Sequence, residues 1–277
     1  MGLCRRRRTL FRYTDGQDLI LASQTATDAA NAPDCERFRL RNFVEVLIED
    51  DQVEIHDQPV PLTALAGHLD GNEKAVLFRK AGPEQAEIVG NILGNGARVG
   101  AAFGLARADL PAEINRRIAE PQPVVEIPSS SAPVHEIVLT GDDADLTRLP
   151  VHLQHAMDGG PYISASVDYT CDPETGLTNV GIRRMMLRGP KEAGVDMTAP
   201  SDLQAIYRKQ QARGEKLPVS YVVGSHPIDI LSASLRFPGD ELGLLAALRG
   251  APLAVVKGVT NDVLVPADAE MVLEGYF

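Results

Sequence analysis

The sequence predicts a mixed α+β fold in which an N-terminal α/β domain precedes a second domain rich in strands. Apolar residues recur at helical spacing from Phe38 to Ile48, and short apolar runs alternate with helical patterns after them. Four prolines and three serines then interrupt regular structure at residues 121–133. Beyond this stretch, apolar and polar residues alternate over short segments, as in strands that bury one face.

These features divide the chain into three parts. Residues 1–36 are polar and irregular, and we expect an extension outside the core. Residues 37–120 are predicted to form the N-terminal α/β domain, and residues 121–277 the second domain. The four arginines at positions 5–8 are interpreted as a solvated tail, because the run is short and acidic residues follow it.

The elements of the first domain follow from its periodicity and its turns. The pattern predicts helices over residues 38–48, 62–69, 98–105 and 111–118, and strands over 52–55, 75–78 and 88–93. Gly90, Gly94 and Gly96 do not form a Gly-x-Gly-x-x-Gly loop, and no Gly-Lys-Ser or Gly-Lys-Thr follows them. We interpret these glycines as turn residues and not as a phosphate-binding loop.

The second domain is predicted to contain six strands and three helices. The strands cover residues 134–139, 162–170, 177–187, 219–223, 253–256 and 263–265, and the helices run from 201 to about 214, from 227 to 235 and from 241 to 248. Ser201 and Gln204 have the form of a capping box at the start of the first of these helices. Asp172-Pro-Glu-Thr-Gly176 supplies turn chemistry for a hairpin.

Composition and charge exclude several classes of protein. With 277 residues and 44% hydrophobic side chains, the chain is neither disordered nor without a sizeable core. A net charge of -11 disfavours nucleic acid as a partner, and no apolar run approaches the roughly 20 residues that span a bilayer. No secretory signal is apparent. The three cysteines (Cys4, Cys35 and Cys171) form no Cys-x-x-Cys pair, so we expect a reducing cytoplasm.

Generic catalytic motifs are missing from the sequence. Gly-x-Ser-x-Gly, His-Glu-x-x-His and an EF-hand loop do not occur. His152 and His155 could bind a metal if they lay on a helix, but the local sequence is typical of a loop. We therefore interpret both histidines as ordinary polar residues.

Four segments of the sequence carry a family resemblance. They are Val138-Leu-Thr-Gly-Asp-Asp-Ala-Asp-Leu-Thr-Arg-Leu-Pro150, Asp172-Pro-Glu-Thr-Gly176, Asn179-Val-Gly-Ile-Arg-Arg-Met185 and Val265-Pro-Ala-Asp-Ala-Glu-Met-Val-Leu-Glu-Gly-Tyr276. In this order and with this spacing they resemble the UbiD family of prenylated-flavin decarboxylases. The resemblance extends from about Phe38 to the last residue.

The resemblance implies a fold and an activity. It implies an N-terminal α/β domain followed by a split β-barrel like that of flavin reductases. Prenylated FMN would sit there with its phosphate bridged to Mn²⁺ or Mg²⁺. Such enzymes reversibly remove CO₂ from aromatic or α,β-unsaturated carboxylic acids, so the expected substrate is a small carboxylic acid, with the cofactor accepting the electrons that decarboxylation releases.

The resemblance also implies roles for individual residues. Arg184 matches the catalytic arginine that supports the carboxylate, and Asn179 and Glu274 match metal ligands. Ile182 and Arg183 fall on the flavin-contacting stretch. Because Asn179 and Arg184 are five residues apart, a regular strand would direct them to opposite faces, so we expect a bulge or a bend near Gly181.

Several expected positions hold residues that are unusual for the family. Asp202 stands where the family has a metal-binding histidine, and a set of Asn179, Asp202 and Glu274 would consist only of oxygen ligands, which suit Mg²⁺ or Mn²⁺. Alternatively, Asp202 is a first-turn acid that the helix dipole stabilises. Asp196, Met197, Thr198 and Ser201 also occupy flavin-contact positions. Arg184 and Asp202 are expected to contact the cofactor as well.

Members of the family continue beyond the Glu-Gly-Tyr motif, and the resemblance implies that a catalytic glutamate pair and a C-terminal domain belong to that portion. We therefore keep three hypotheses open: a decarboxylase, a non-catalytic or partial subunit that needs another chain for the glutamates, and a flavin reductase-like domain that binds ordinary FMN. The expected assembly is a homo-oligomer or a complex with a chain that supplies the C-terminal domain.

Overall fold

The computed structural model describes residues 33–277, and these residues form one compact unit. Most of the predicted extension at residues 1–36, with the arginine run and Cys4, lies outside the described residues. Contacts across the predicted boundary at residue 120 are close, because Phe38 and Phe103 share a hydrophobic cluster with Leu244 and Leu248. The division into two domains stays a prediction.

The first region contains a three-stranded sheet and four helices. Its elements are α1 (Leu40–Glu49), β1 (Val53–His56), α2 (Leu65–Leu69), β2 (Ala75–Ala81), β3 (Ala86–Gly90), α3 (Gly96–Phe103) and α4 (Leu110–Ile118). The strand order is β1-β2-β3, parallel between the first two strands and antiparallel between the last two. Helix α1 buries Phe43, Val44 and Leu47 against this sheet, so the helical periodicity of this segment is confirmed.

The second region is dominated by three sheets. Its elements are β4 (Val124–Glu126), β5 (Tyr162–Ile163), β6 (Ser166–Cys171), β7 (Thr178–Ile182), β8 (Met185–Gly189), β9 (Glu192–Val195), α5 (Asp202–Ala212), β10 (Pro218–Val223), α6 (Pro227–Ser234), α7 (Glu241–Arg249), β11 (Leu253–Lys257), β12 (Leu264–Pro266) and β13 (Met271–Tyr276). The strand orders are β13-β10-β6-β7, β12-β11-β4 and β5-β8-β9.

The main core lies where the four-stranded sheet, the β12-β11-β4 sheet and helix α7 meet. Tyr169, Val222, Leu245, Val255 and Val265 belong to this cluster, and each is at most 1% exposed. Burial of one apolar face of each element is what drives these layers together. Residues 121–277 are therefore rich in strands.

A buried ion-pair network joins helices α6 and α7 to the turn before β13. Arg249 lies between Asp229 and Asp268, at 2.6 Å and 2.7 Å, and its side chain is 1% exposed. The guanidinium also lies 4.7 Å from the ring centroid of Phe38. Because unpaired charge is costly in the interior, this network fixes the relative positions of the three elements.

The predicted strand at residues 134–139 is wrong. Pro133–His135 form a single 3-10 turn, and no strand follows up to residue 161. Ile137 is 77% exposed and Leu139 is 62% exposed, so this apolar run has no neighbouring strand to pair with. A strand needs cross-strand partners, and local β-propensity alone did not supply them.

Further differences concern strands β7, β8 and β13. The predicted strand at residues 177–187 is two strands, β7 and β8, separated at Arg183 and Arg184. Strand β13 was not predicted at all, although it forms six residue pairs with β10. None of the helices within residues 33–277 has the length and apolar character needed to cross a membrane.

Candidate active site and metal centre

Asn179 lies on β7, the edge strand of the four-stranded sheet, beside the first turn of α7. Its Nδ2 donates to Glu241 Oε2 at 3.0 Å, and the backbone N–H of Val180 donates to the same oxygen. Glu241 thus satisfies a backbone donor of the edge strand that no neighbouring strand pairs. The amide oxygen Oδ1 of Asn179 is buried and has no hydrogen-bond partner.

Asp202 is the first residue of helix α5 and faces the same cavity as Asn179 and Glu241. The preceding Ser201 caps the helix, since its Oγ accepts a hydrogen bond from the backbone N–H of Gln204 at 3.2 Å. The predicted helix start is confirmed. The cavity measures about 280 Å³ and is also lined by Lys209.

The electrostatics of this cavity favour a hard cation. Burial raises the pKa of Glu241, and the nearby charge of Asp202 raises it further, although the hydrogen bonds from Val180 and Asn179 act in the opposite direction. Two carboxylates and an orphaned amide oxygen are the donor types that Mg²⁺ and Mn²⁺ prefer. A divalent cation would offset the repulsion between the carboxylates of Asp202 and Glu241, and it would be bound by the unpaired Oδ1 of Asn179. The residues present therefore fit such an ion.

The set of metal donors requires the amide oxygen of Asn179 in addition to the two carboxylates. Residues 33–277 contain no group of three or more His, Cys, Asp or Glu side chains placed to hold a metal ion. His152 and His155 lie in the loop before β5, as the sequence predicts, and they line neither of the two cavities described here.

Glu274 does not lie with Asn179 and Asp202. It lies on β13, the opposite edge of the same sheet, roughly 14 Å away at the usual strand spacing. The register connects Glu274 through Ser220 and Tyr169 to Val180, so the side chain of Asn179 points to the other face. The structure therefore separates Glu274 from Asn179, contrary to the convergence that the resemblance implied.

The carboxylate of Glu274 is instead bound to the turn between β11 and β12. It accepts hydrogen bonds from the backbone N–H groups of Val259 and Thr260, at 2.7 Å and 2.6 Å, and from Oγ1 of Thr260 at 2.6 Å. The Glu274 carboxylate thus accepts three hydrogen bonds from other residues of the chain.

The expected bend lies at the junction of β7 and β8. Ser166 Oγ donates to the carbonyl of Arg183 at 2.6 Å, and the backbone N–H of Arg183 donates to the carbonyl of Ser166. The side chain of Arg183 donates twice to the buried carboxylate of Asp168, at 2.7 Å and 2.6 Å. These bonds hold the corner, and Arg184 at its outer side faces an open cleft.

That cleft is the larger of the two cavities, at about 480 Å³. It is lined by Tyr162, Ile182, Arg183, Arg184, Met186, Arg188, Gly194, Val195 and Asp196. The structure thus brings together four of the expected cofactor contacts. Arg183 and Arg184, together with apolar residues such as Ile182 and Met186, suit a planar ligand that carries a negative charge.

The remaining expected contacts lie between the cleft and helix α5. Thr198 donates to Asp196 through its backbone N–H at 2.8 Å and through Oγ1, and these bonds lower the pKa of Asp196. Met197 accepts from Gln204 through its carbonyl at 2.6 Å. Ser201 accepts a 3.4 Å hydrogen bond from Arg183, in addition to its capping role. Met197, Thr198 and Ser201 line neither cavity.

Sequence reasoning missed Glu241, which the fold brings beside Asn179 from 62 positions away. In the sequence, Asp240-Glu241 is an ordinary acidic helix start, and Asp240 does cap the helix by accepting from the N–H of Leu242 at 3.0 Å. A signal was present, because Glu241 begins a helix with apolar residues on nearly every side, which indicates burial.

Comparison with known proteins identifies the family of this chain. The model of the UbiD 3-octaprenyl-4-hydroxybenzoate carboxy-lyase Rift-related domain matches residues 125–277, which is more than half of the chain. The chain belongs to the UbiD family.

Two curated relatives have an activity in their names. Anhydromevalonate phosphate decarboxylase from Methanosarcina mazei is 31% identical over 241 residues, which cover 85% of this chain and 54% of the relative. Phenolic acid decarboxylase from Sedimentibacter hydroxybenzoicus is 31% identical over 257 residues, which cover 86% and 54%. The chain therefore spans about half the length of these relatives.

Solved structures show the same fold. HmfF from Pelotomaculum thermopropionicum, a UbiD-class enzyme in an evolved dimeric form in complex with prFMN, superposes with a TM-score of 0.80 at 29% identity, over 86% of this chain and 57% of that one. The vanillic acid decarboxylase VdcCD of Sedimentibacter hydroxybenzoicus, in closed form, gives 0.79 at 28%, over 86% and 54%. The expected α+β fold of UbiD type is confirmed.

Proposed function

We propose that this chain carries the cofactor and metal site of a UbiD-class decarboxylase. The reaction is reversible, non-oxidative removal of CO₂ from an aromatic or α,β-unsaturated carboxylic acid, with prenylated FMN and Mn²⁺ or Mg²⁺. The observation that supports it best is the convergence of Asn179, Asp202 and Glu241 on one cavity, with Oδ1 of Asn179 left unpaired. Its relatives include enzymes named as decarboxylases and a complex with prFMN.

The metal would be held by oxygen atoms alone. Asn179 offers its amide oxygen, and Asp202 and Glu241 offer carboxylates. In this proposal Glu241 replaces Glu274 as the third ligand, because Glu241 and not Glu274 lies beside Asn179. Asp202 lines the same cavity as Asn179 and Glu241. This position favours a role as metal ligand over the alternative of a first-turn acid that only the helix dipole stabilises.

The flavin would lie in the arginine-lined cleft, where Ile182, Arg183, Arg184 and Asp196 are contacts. When bound, prenylated FMN supplies an electron sink for the electron pair left by CO₂. Arg184 binds and orients the substrate carboxylate through its planar pair of N–H donors. Arg183 acts differently, since its guanidinium is engaged by Asp168 and holds the corner that presents Arg184.

The test uses protein purified from cells that make prenylated FMN. We expect bound flavin in the absorption spectrum, manganese in the metal content, and CO₂ release from a panel of aromatic and unsaturated acids. The R184Q variant should retain manganese and lose turnover by about a hundredfold or more, the range for an electrostatic contact to reacting atoms. R79Q is the matched control, because Arg79 pairs with Glu87 outside both cavities.

Two outcomes would contradict the proposal. One is wild-type protein that binds neither flavin nor manganese under these conditions. The other is turnover that persists unchanged in R184Q. Either result would leave the family membership intact and remove the proposed activity.

We also propose that the chain functions in an assembly, either a homo-oligomer or a complex with a chain supplying a C-terminal domain. Solved relatives include a dimeric form of HmfF and the two-component VdcCD. The proposed compartment is the cytoplasm, because Cys35 and Cys171 are free thiols in the described part of the chain. Light scattering of the purified protein, with mass spectrometry of any co-purifying chain, tests the assembly.

A further inference from the structure

Arg188 also lines the cleft, and the proposed function assigns it no role. It sits in strand β8, where Leu187 pairs with Ala193 and Gly189 pairs with Glu192. Arg188 is therefore the extra residue of a β-bulge, with no partner on β9. Bulges of this kind re-aim a side chain, and they are common beside active sites.

The guanidinium of Arg188 rests on a glycine of the neighbouring strand. A Cβ atom at Gly194 would lie 2.8 Å from Nε and 3.3 Å from Cζ of Arg188. Only glycine leaves this space open, so the absence of a side chain at position 194 creates the seat for the guanidinium. Since Gly194 pairs with Met186, the guanidinium is folded back toward the middle of the cleft.

The cations of the cleft differ in what neutralises them. Arg183 is paired with Asp168, and Arg184 lies close enough to Asp196 to lower the pKa of that carboxyl. Within residues 33–277, Arg188 makes no ion pair and no side-chain hydrogen bond, although it is one of the residues that line the cleft. Because Arg188 is exposed and the described residues place no anion on its guanidinium, it is available to bind an anionic group of a ligand.

We propose that Arg188 binds a second anionic group of the substrate, so that the cleft takes carboxylic acids bearing a phosphate ester or a second carboxylate. This rests on the proposed function, in which Arg184 binds the reacting carboxylate. The two arginines are four residues apart, which is at most roughly 13 Å along a strand. Tyr162, Met186 and Val195 line the same cleft and add apolar surface to it.

The test compares acids that differ only in the second group. The probes are trans-5-hydroxypent-2-enoate, its 5-phosphate ester and trans-hex-2-enedioate, measured with the flavin-loaded enzyme. We expect a KM roughly tenfold lower for a dianionic acid than for the hydroxy acid, because one charge-assisted hydrogen bond is about a factor of ten. The phosphate and the dicarboxylate arms identify which anion the site prefers.

Variants of Arg188 and Gly194 locate the effect. R188Q should raise the KM for the preferred dianion about tenfold and leave the KM for the hydroxy acid and kcat unchanged. G194A should weaken the same preference, because the guanidinium must leave its seat, and the flexible side chain can move without unfolding the protein. R208Q is the control, since Arg208 is exposed on α5 and lines neither cavity.

A binding measurement keeps this inference separate from the proposed activity. The saturated analogues 5-phosphooxypentanoate and 5-hydroxypentanoate lack the double bond, so calorimetry reports their affinity without turnover. Tighter binding of the phosphate that R188Q abolishes supports the inference even if no acid is decarboxylated. The inference would be overturned if the wild type bound both analogues with equal affinity, or if R188Q weakened the binding of both. Loss of flavin from R188Q would also overturn it, because Arg188 would then bind the cofactor.

Discussion

Glu241 Oε2 accepts a hydrogen bond from Nδ2 of Asn179 at 3.0 Å, and this contact determines which way the amide of Asn179 faces. With Nδ2 committed to the carboxylate, the oxygen Oδ1 is left buried without a donor. Glu241 thus orients Asn179, the proposed metal ligand, and offers a carboxylate of its own. The same carboxylate also holds the edge strand β7 through the N–H of Val180.

The first prediction concerns the removal of this carboxylate. E241Q should weaken Mn²⁺ binding by more than about a hundredfold, because even indirect support of a metal ligand accounts for 10–100-fold. Titration of Mn²⁺ followed by electron paramagnetic resonance measures the affinity. The control is E45Q, the same change at an exposed position of α1. Unchanged affinity in E241Q would remove Glu241 from the metal site.

The second prediction follows from the raised pKa of Glu241, which burial causes first and Asp202 reinforces. A ligand carboxylate must be deprotonated, so Mn²⁺ affinity should begin to fall at a higher pH than an ordinary glutamate would require. In the metal-free protein the folded state holds this proton more tightly than the unfolded state. Stability relative to E241Q should therefore decrease as the pH rises through the raised pKa.

Urea unfolding of the metal-free wild type and E241Q across this pH range measures that difference. A wild type that instead gains stability relative to E241Q as the pH rises would show that Glu241 is stabilised as a carboxylate without a cation. Metal titrations at the same pH values provide the parallel measurement.

The third prediction concerns Ser166, which we regard as a positioning residue for Arg184. S166A removes the buried donor to the carbonyl of Arg183 and should lower the free energy of unfolding by about 1–2 kcal/mol. Because the β7–β8 corner then loosens, kcat should fall while the KM for the acid changes little. S164A is the matched control, since the Oγ of the exposed Ser164 bonds only Gln154. A loss of stability with unchanged kcat would reduce Ser166 to a structural role.

The fourth prediction concerns the buried ion-pair network. R249M leaves the carboxylates of Asp229 and Asp268 buried without their cation and should lower the free energy of unfolding by about 3–5 kcal/mol. R116M, at a side chain that is 52% exposed, should cost no more than about 1 kcal/mol. Thermal and urea unfolding measure both.

The pH dependence of R249M provides a second readout. Burial raises the pKa of Asp268, and in the variant no cation opposes that effect. A raised folded-state pKa means that protonation favours the folded state, so R249M should recover part of its stability as the pH falls through that pKa. A variant that becomes steadily less stable on acidification would contradict this account.

The fifth prediction concerns Arg98, which is 1% exposed and bound only to carbonyl groups. Its guanidinium donates to the carbonyls of Glu73, Asn91 and Ile92, at 2.7 Å, 2.8 Å and 3.2 Å. R98M should lower the free energy of unfolding by about 2–4 kcal/mol, because three buried acceptors lose their donor. R79Q, at an exposed ion pair, should have a small effect. Comparable losses in the two variants would refute this role.

Local periodicity predicted most of the helices, because a helix that buries one face has apolar residues at helical spacing along the sequence. Helix α1 buries the same Phe43, Val44 and Leu47 that its pattern indicates. Strands depend on partners that are distant in the sequence. The apolar run at 137–139 was therefore wrongly predicted to be a strand. Strand β13 pairs with β10 about 50 positions away and was not predicted.

The site could be predicted only in part for the same reason. Asn179, Asp202 and Arg184 came from a family resemblance in short segments, and the fold places them on the two cavities. The choice between Glu274 and Glu241 required the strand order β13-β10-β6-β7, which puts Glu274 on the far edge. Residue spacing along the chain holds no information about that order.

The central claim is that Asn179, Asp202 and Glu241 hold a divalent ion beside the arginine cleft. Anomalous diffraction at the manganese absorption edge, from crystals of the Mn²⁺-loaded protein, tests it most directly. We expect one strong peak about 2.0–2.4 Å from Oδ1 of Asn179 and from a carboxylate oxygen of Asp202 and of Glu241. A peak beside Glu274, or no peak in this cavity while manganese is bound elsewhere, would contradict the account.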